Sequence, residues 1–448
     1  MNRLLIFLKK FIPRKIFRWL QPTYHYVINF LAALVFGFPS EKLIVVGVTG
    51  TTGKTTVTYM AAQVLRYAGL RVGYTSTAMF SDGEKDWLND KKMTMVGRFF
   101  TQKMLFKMVR NGCDVAIVET TSEGAVQFRH RFINFDTMLF TGIYPEHIES
   151  HGNFDNYKKA KQSLFAHVGT CKNKNFFDKK SYKTIIVNLD DPYAKDFICY
   201  DVHRKIGFSN KNFYEDPFVE LVSYQYHKTT KAGVQFRFDD ENVFLKILGD
   251  FNATNATAAG CICRSLGVNN SSIKRGLEHV LQLPGRIERI NEGQDFTVIV
   301  DYAFEPVAVT KLYETIRALE PKNIIHVLGS TGGGRDVARR EKLGMIAGQN
   351  ANYVIVTNED PYDDDPMEIV QAVAQGASSV GKVINNDLFL IIDRRDAIKK
   401  AINLTKKDDI VLITGKGSEQ AIVGKNGILI PWDDRRVARD LLKKHIYV

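Results

Sequence analysis

A chain of 448 residues is too long for one hydrophobic core, so two or three domains are expected. Hydrophobic residues at 45% and charged residues at 25% are ordinary for a globular protein, and five cysteines with no CxxC pair argue against a disulfide framework or zinc ribbon and for a reducing compartment. Net charge is +12, and six of the basic residues (Arg3, Lys9, Lys10, Arg14, Lys15, Arg18) lie in the first forty, which hold no acid.

That opening stretch mixes basic residues with Leu, Ile, Phe and Trp, and no small-residue cleavage site follows its apolar run, so a signal peptide is a poor match. Between Trp19 and Ser40 there is no charged side chain, but Gln21, Pro22, His25 and Asn29 interrupt the run. The cleanly apolar part is shorter than the roughly 20 residues a spanning helix needs. Two readings stay open: an interfacial anchor drawn to anionic lipid, and a basic helical arm packed on the protein itself.

Apolar runs then alternate with helical patterns. "KLIVVGVTG", "RVGYTSTAM", "CDVAIVETT" and "FDTMLFTGIY" read as strands, with "KTTVTYMAAQVLRYAG" and "FFTQKMLFKMVRNG" as helices between them. This alternation implies a mostly parallel sheet with crossover helices. From about Lys205 to Leu248, short alternating stretches such as "GVQFRF" suggest an antiparallel extension, followed by helices over 252–266 and 271–281. "LQLPGRIERI" breaks the chain at Pro-Gly, and "FTVIVDYA", "NIIHVLGS", "ANYVIVTN", "LFLIID" and "DIVLITG" mark a second, smaller open α/β sheet.

Residues 45–60, "VVGVTGTTGKTTVTYM", run from a strand through a Gly/Thr loop into a helix. Glycines let backbone N–H groups turn inward on phosphate oxygens, and the helix N-terminus adds partial positive charge. Gly50, Thr51, Thr52, Gly53, Lys54, Thr55 and Thr56 form this candidate nucleotide site, with Lys54 reaching the outer phosphates and the Thr55 hydroxyl ligating Mg²⁺. The common loop pattern has Gly where this chain has Val48.

This variant loop resembles that of the Mur ligase family, ATP-dependent enzymes that add amino acids to the muramoyl peptide of cell-wall precursors. Eight further stretches agree in order: "IVETTSEG", "GIYPEHIESHGNFDNYKKAKQSLF", "GDFNATNATAAG", "LPGRIERI", "VDYAFEP", "GSTGGGRDVARREKLG", "TNEDPYDDDP" and "TGKGSEQ". The resemblance covers the chain from about Lys42 and is nearest to the muramoyl-tripeptide synthetase branch. It implies ATP and two Mg²⁺ ions as cofactors, with Thr55, Glu119, His147 and Lys161 at the metals and Lys161 carried as a carbamate. It also implies Asn252 and Asn255 near the adenine, Asp301 and Arg335 on the nucleotide, and Arg286 beside Lys54 as a cation for phosphoryl transfer. On the substrate side it implies Thr94, Thr121, Ser122, Arg129, Asp360 and Glu419.

Several departures bear on the substrate. The family's N-terminal domain, which holds the uridine-diphosphate end, has no counterpart here; basic and apolar residues stand in its place. Where family members that add diaminopimelate read Asp-Asn-Pro-Arg, this chain has Glu359-Asp360-Pro361-Tyr362, so the arginine that grips a carboxylate bidentately is gone. Gly142 stands where the family opens with Asn, Phe304 replaces a His, and Ser418 replaces the His of Gly-Lys-Gly-His-Glu.

The fold expected is α/β: residues 1–41 a basic, apolar segment, 42–283 a P-loop-type ATP-binding domain, and 284–448 a smaller Rossmann-like domain for the amino acid. The expected activity is ATP-dependent ligation of an amino acid to a UDP-N-acetylmuramoyl peptide through an acyl phosphate, the two substrates being the muramoyl peptide and a free amino acid. The alternatives are a related enzyme acting on a lipid-linked or folate substrate, and an ATP-driven switch. A monomer in the cytoplasm is expected, with no nucleic-acid partner, and the N-terminal segment raises contact with the inner face of the plasma membrane.

Overall fold

The structure, a computed structural model, describes residues 14–146, 151–176, 179–334 and 337–446. His147 and Arg335, both singled out above, lie outside the described residues. Contacts divide the chain into two compact units: the first holds the residues up to Trp87, Met93–Ser223 and Ala258–Ile273, the second Leu88–Lys92, Tyr224–Thr257 and the chain from Lys274 onward.

In the first unit, helix α1 (Arg14–Val35) precedes β1 (Ile44–Thr49), α2 (Lys54–Tyr67), β2 (Val72–Thr75), α3 (Arg98–Arg110), β3 (Val115–Glu119), β4 (Thr137–Phe140), α4 (Phe154–Thr170), β5 (Thr184–Asn188), β6 (Arg204–Ser209) and β7 (Val219–Thr230). β1 reads IVVGVT, an unbroken apolar run that suits a strand covered on both faces rather than one. α2 buries Val57, Met60, Ala61 and Val64, the spacing of a single helical face. The strands lie in the order β7–β6–β5–β4–β1–β3–β2, each pair parallel.

This order positions the site. From β1 the chain crosses to one side to build β2 and β3, then returns past β1 to build β4 on the other. Such a reversal opens a crevice at the carboxyl ends of the strands, where ligands of open α/β sheets bind. The register pairs Val48 with Glu119, so the end of β3 stands beside the loop that follows β1.

One expectation is corrected. Arg204–Ser209 does not begin the antiparallel extension; it pairs in parallel with β5 and with Val219–Ser223. Its Ile206 and Phe208 are fully buried on one face of the sheet, and its two edges pair with parallel neighbours, a direction that the short polar-apolar alternation did not reveal. Antiparallel pairing starts later, in the second unit, where Tyr224–Thr230 pairs with β8 (Gly233–Phe238) and β8 with β9 (Glu241–Leu245).

The rest of the second unit contains β10 (Glu288–Ile290), β11 (Thr297–Val300), α5 (Pro306–Arg317), β12 (Ile324–Leu328), α6 (Ala338–Asn350), β13 (Tyr353–Val356), α7 (Pro366–Ser379), β14 (Leu388–Leu390), α8 (Arg394–Leu404), β15 (Ile410–Ile413) and α9 (Asp434–Ile446). The sheet order is β10–β11–β15–β12–β13–β14, parallel except for β10. Alternate strand residues serve opposite faces. Ile299, Val354, Val356 and Leu412 pack with α5, α6 and α7, whereas Val298, Val300, Ile355 and Val411 pack with α8 and α9. Among the described residues no helix is long and apolar enough to cross a membrane.

Candidate active site

The loop after β1 is shaped by positions where a side chain could not sit. Gly50 has φ +147°, and a Cβ there would come within 1.9 Å of the Thr141 hydroxyl. Gly142 faces it with φ +141° and accepts the Thr51 N–H at 2.8 Å through its carbonyl. A residue with a side chain is strained at that φ, which gives a physical reason for glycine where the family has Asn. Gly53 then caps α2, aiming the helix N-terminus into the loop.

Two lysines converge on this loop. Lys54 donates to the carbonyls of Gly50 (3.0 Å) and Thr51 (2.7 Å), and Lys161 donates to the same Gly50 carbonyl at 2.8 Å. Lys161 comes from α4, is buried, and lies 4.7 Å over the ring of Tyr157, whose hydroxyl meets Thr51 Oγ1 at 3.0 Å. Burial, and next the nearby Lys54 cation, hold the Lys161 amine well below its ordinary value of 10.5. A buried amine near a second cation favours its neutral, nucleophilic form.

Glu119 is the second focus. Its carboxylate accepts from Thr55 Oγ1 (3.1 and 3.0 Å), from the Thr77 N–H (2.7 Å) and from Thr77 Oγ1 (3.0 Å). With its proton given to Glu119, Thr77 Oγ1 accepts from the Thr94 hydroxyl at 2.9 Å, linking a residue expected on the substrate side to the expected metal carboxylate. Among the described residues no three His, Cys, Asp or Glu side chains gather to hold a metal alone. Glu119 and Thr55 instead offer hard oxygens, which fits Mg²⁺, an ion that takes most of its ligands from phosphate and water.

The other expected substrate residues of this unit form a rim. Thr121 caps the short helix Ser122–Val126 by accepting the Gly124 N–H at 3.0 Å, and Ser122 Oγ meets His151 Nε2 at 3.0 Å. Burial, assisted by Lys161, lowers the His151 pKa. Arg129 donates to the Met95 carbonyl, beside Thr94, and to Gln127 Oε1 at 2.7 Å. Thr52 and Thr56 stay on the loop and first turn of α2.

In the second unit, Asp360 and Glu419 are brought together by a buried lysine. Lys416 donates to Asp360 Oδ1 at 2.8 Å and to Glu419 Oε2 at 2.5 Å. Lys92 donates to both Asp360 oxygens, at 2.9 and 2.7 Å, and lies 3.2 Å from Glu419. Burial works against the Lys416 cation, but Glu419 and Asp360 outweigh it and raise its pKa; for Lys92 burial and the Lys416 charge prevail and lower it. Glu359 is buried beneath, with its Oε2 unpaired, and burial raises its pKa. Glu419 also accepts from the Tyr302 hydroxyl at 3.3 Å, and the Arg286 guanidinium lies 4.4 Å over the Tyr302 ring.

Asp301, expected on the nucleotide, is held by backbone contacts. Its two oxygens accept backbone N–H groups, Ile287 at 2.7 Å and Ala303 at 2.6 Å. It thereby holds the loop that carries Arg286, in which Ile287 has φ +46°, a costly conformation for a β-branched residue. Asn252 donates to the Leu248 carbonyl at 2.6 Å and accepts from Asn255 at 2.9 Å, so the pair stabilises its own helix start.

Sequence reasoning missed Thr77, Tyr157, Lys92 and Lys416. A signal existed for two of them: Thr77 follows a strand end just as Glu119 ends one, and Lys416 lies inside "TGKGSEQ". Nothing local marks Lys92 or Tyr157.

Residues 48–263 match the Mur ligase middle domain, and 285–417 match the Mur ligase glutamate ligase domain. The UDP-N-acetylmuramyl-tripeptide synthetase of Roseiflexus sp. (strain RS-1) is 35% identical over 428 residues, covering 92% of this chain and 81% of that protein. The UDP-N-acetylmuramoyl-L-alanyl-D-glutamate–2,6-diaminopimelate ligase of Geobacillus kaustophilus (strain HTA426) is 31% identical, covering 92% and 82%. In fold, the chain resembles a solved folylpolyglutamate synthase of Mycobacterium tuberculosis complexed with ADP, with TM-score 0.64, 17% identity, and 86% and 90% of the two chains covered. With relatives above 30% identity matched over most of their length, a phosphate loop facing a strand-end carboxylate and a buried lysine, the chain belongs to the Mur ligase family.

Proposed function

We propose that this protein is an ATP-dependent ligase that joins an amino acid to the carboxylate of a UDP-N-acetylmuramoyl peptide in peptidoglycan precursor synthesis, in the cytoplasm. The observation that carries the reading is the convergence of Lys54, Lys161 and the Thr55–Glu119 pair on one phosphate loop. A carboxylate is a poor electrophile until phosphorylated, and phosphoryl transfer concentrates negative charge on oxygens that positioned cations stabilise. In this reading, residues 42–283 handle ATP and the muramoyl peptide, and 284–448 handle the amino acid.

Each group then has a task. Loop N–H groups and Lys54 hold the triphosphate, Thr55 and Glu119 hold a magnesium ion, and Thr94, Ser122 and Arg129 face the peptide. Bound Mg²⁺ supplies charge neutralisation at the transferring phosphoryl group. Lys161, whose buried amine is held neutral, would add CO₂ and release a proton to become a carbamate, exchanging a neutral amine for an anion that suits a second ion. On the other unit, Glu419 is the acceptor for the incoming amine, with Asp360 and Lys416 fixing its position.

The test is phosphate release and product mass from purified protein with ATP, Mg²⁺, UDP-linked muramoyl dipeptide and each amino acid in turn, diaminopimelate included. Amine-dependent phosphate release with a product heavier by one residue is expected. ATP turnover that no amino acid stimulates would refute the proposal.

A further inference from the structure

Helix α1 has an inward face docked on the first unit and an outward apolar face that is only partly covered, with the Arg98 guanidinium 5.9 Å over the Tyr24 ring. Asn29, Ala32 and Ala33 are buried, and Asn29 donates to the Gln127 carbonyl at 3.1 Å, so this face is docked on the first unit. On the outward side, Leu20, Tyr24, Val27, Leu31 and Leu34 follow one another at spacings of four and three residues, which places them in a single stripe. These five are 40% to 53% exposed. The stripe runs about 21 Å along the helix at 1.5 Å per residue. No charged residue occurs between Trp19 and Ser40, so the helix is uncharged from Trp19 onward, along nearly the whole stripe.

We propose that this stripe docks on an anionic lipid surface, with α1 lying in the plane of the interface. Charge decides the occupant. The chain preceding the stripe carries Arg3, Lys9, Lys10, Arg14, Lys15 and Arg18 with no acidic residue, a polybasic segment that complements acidic headgroups. A second copy of the same helix suits this charge poorly, because side-by-side pairing would bring two such segments together, and no acidic flanking positions exist to set a register. Among the described residues no helix, α1 included, is long and apolar enough to cross a membrane, and α1 is proposed to lie along the surface.

The experiment is co-sedimentation of the full chain with phosphatidylcholine vesicles, with and without phosphatidylglycerol, at low and high salt. Binding is expected to the anionic vesicles and to weaken with salt. The substitutions Val27→Asp, Leu31→Asp and Leu34→Asp together should lower it tenfold or more, with circular dichroism unchanged because all three positions are exposed. Arg14→Gln, Lys15→Gln and Arg18→Gln should lower it roughly fivefold per charge, the equivalent of about 1 kcal/mol for each basic residue. These charge variants and the salt series keep the test decisive should the triple aspartate protein not fold. The proposal is overturned if the full chain stays in the supernatant with anionic vesicles at low salt. It is equally overturned if charge variants bind unchanged, or if sedimentation equilibrium shows a dimer that the aspartate substitutions dissolve while vesicles are ignored.

Discussion

Lys161 and Gly50, 111 residues apart, meet at 2.8 Å, the lysine amine donating to the loop carbonyl. The bond ties α4 to the phosphate loop and puts a buried amine within the same carbonyl's reach as Lys54. Lys161→Ala should therefore lower ligation by about 10²–10³-fold, the range for removing one preorganised charge from a polar active site. Adding formate or acetate should restore part of the loss if the working form is a carbamate. Phosphate release with and without the added acid measures this.

The same lysine leaves a signature in stability. Its folded amine is held well below 10.5, so between the folded value and 10.5 the unfolded chain carries a proton that the folded protein lacks. Stability then rises with pH through that window. In CO₂-depleted buffer, Lys161→Met should be more stable relative to the parent at neutral pH than at pH 10, as read by urea unfolding. A constant difference between the two proteins would contradict the buried, neutral amine.

Glu119 holds Thr55 and Thr77 together, and each bond has its own consequence. Glu119→Gln should raise the Mg²⁺ concentration needed for half-maximal turnover and cut the maximal rate by about 100-fold. Thr77→Val keeps the backbone N–H to Glu119 and removes only the hydroxyl bonds to Glu119 and Thr94. Its loss should stay within about tenfold, near 1.4 kcal/mol. Magnesium titrations of both variants separate the two cases.

Asp301 satisfies two backbone N–H groups, including that of the strained Ile287. Removing the carboxylate strands both, so Asp301→Ala should cost about 2–5 kcal/mol, whereas Asp301→Asn keeps one acceptor and should cost less than half of that. Denaturant unfolding decides. If Asp301 instead contacts nucleotide alone, stability will be unchanged and only the ATP affinity will move.

His130 makes the fold acid-sensitive. It is buried, neither ring nitrogen has a partner, and burial with the neighbouring His167 pushes its pKa down to about 3. Its folded value is depressed below the ordinary 6.5, so its neutral form stabilises the fold above 6.5, and that contribution is lost as pH falls toward 3. His130→Leu should reduce the stability lost between pH 7 and pH 4 by roughly 2–4 kcal/mol, at 1.36 kcal/mol per pKa unit. Thermal unfolding at the two pH values tests it.

Much of the site was legible because its pieces are local. The phosphate loop is one contiguous stretch whose residues need only each other and a helix N-terminus. Glu119 was legible as the end of an apolar run. Gly142 illustrates the limit: as a departure from the family pattern it had no explanation until its φ of +141° and its bond to Thr51 were seen. Asp301 shows another limit, since the backbone N–H groups its carboxylate accepts, those of Ile287 and Ala303, are set by the fold of the loop and cannot be read from the motif. Strand Arg204–Ser209 was misread because the direction of its pairing partners, parallel on both edges, leaves no trace in the alternation of six residues.

By itself the sequence determined the two α/β repeats, the anion loop between β1 and α2, and the basic, apolar character of the N-terminal stretch, all of which follow from the order of nearby side chains. Only the tertiary structure decided which distant groups meet: Thr77 with Glu119 across 42 residues, Lys161 with Gly50 across 111, and Lys92 with Asp360 across 268. The reason is physical. Those meetings depend on β1 lying between β3 and β4 and on where each helix returns, and strand order is set by the packing of the whole sheet, which no local window contains.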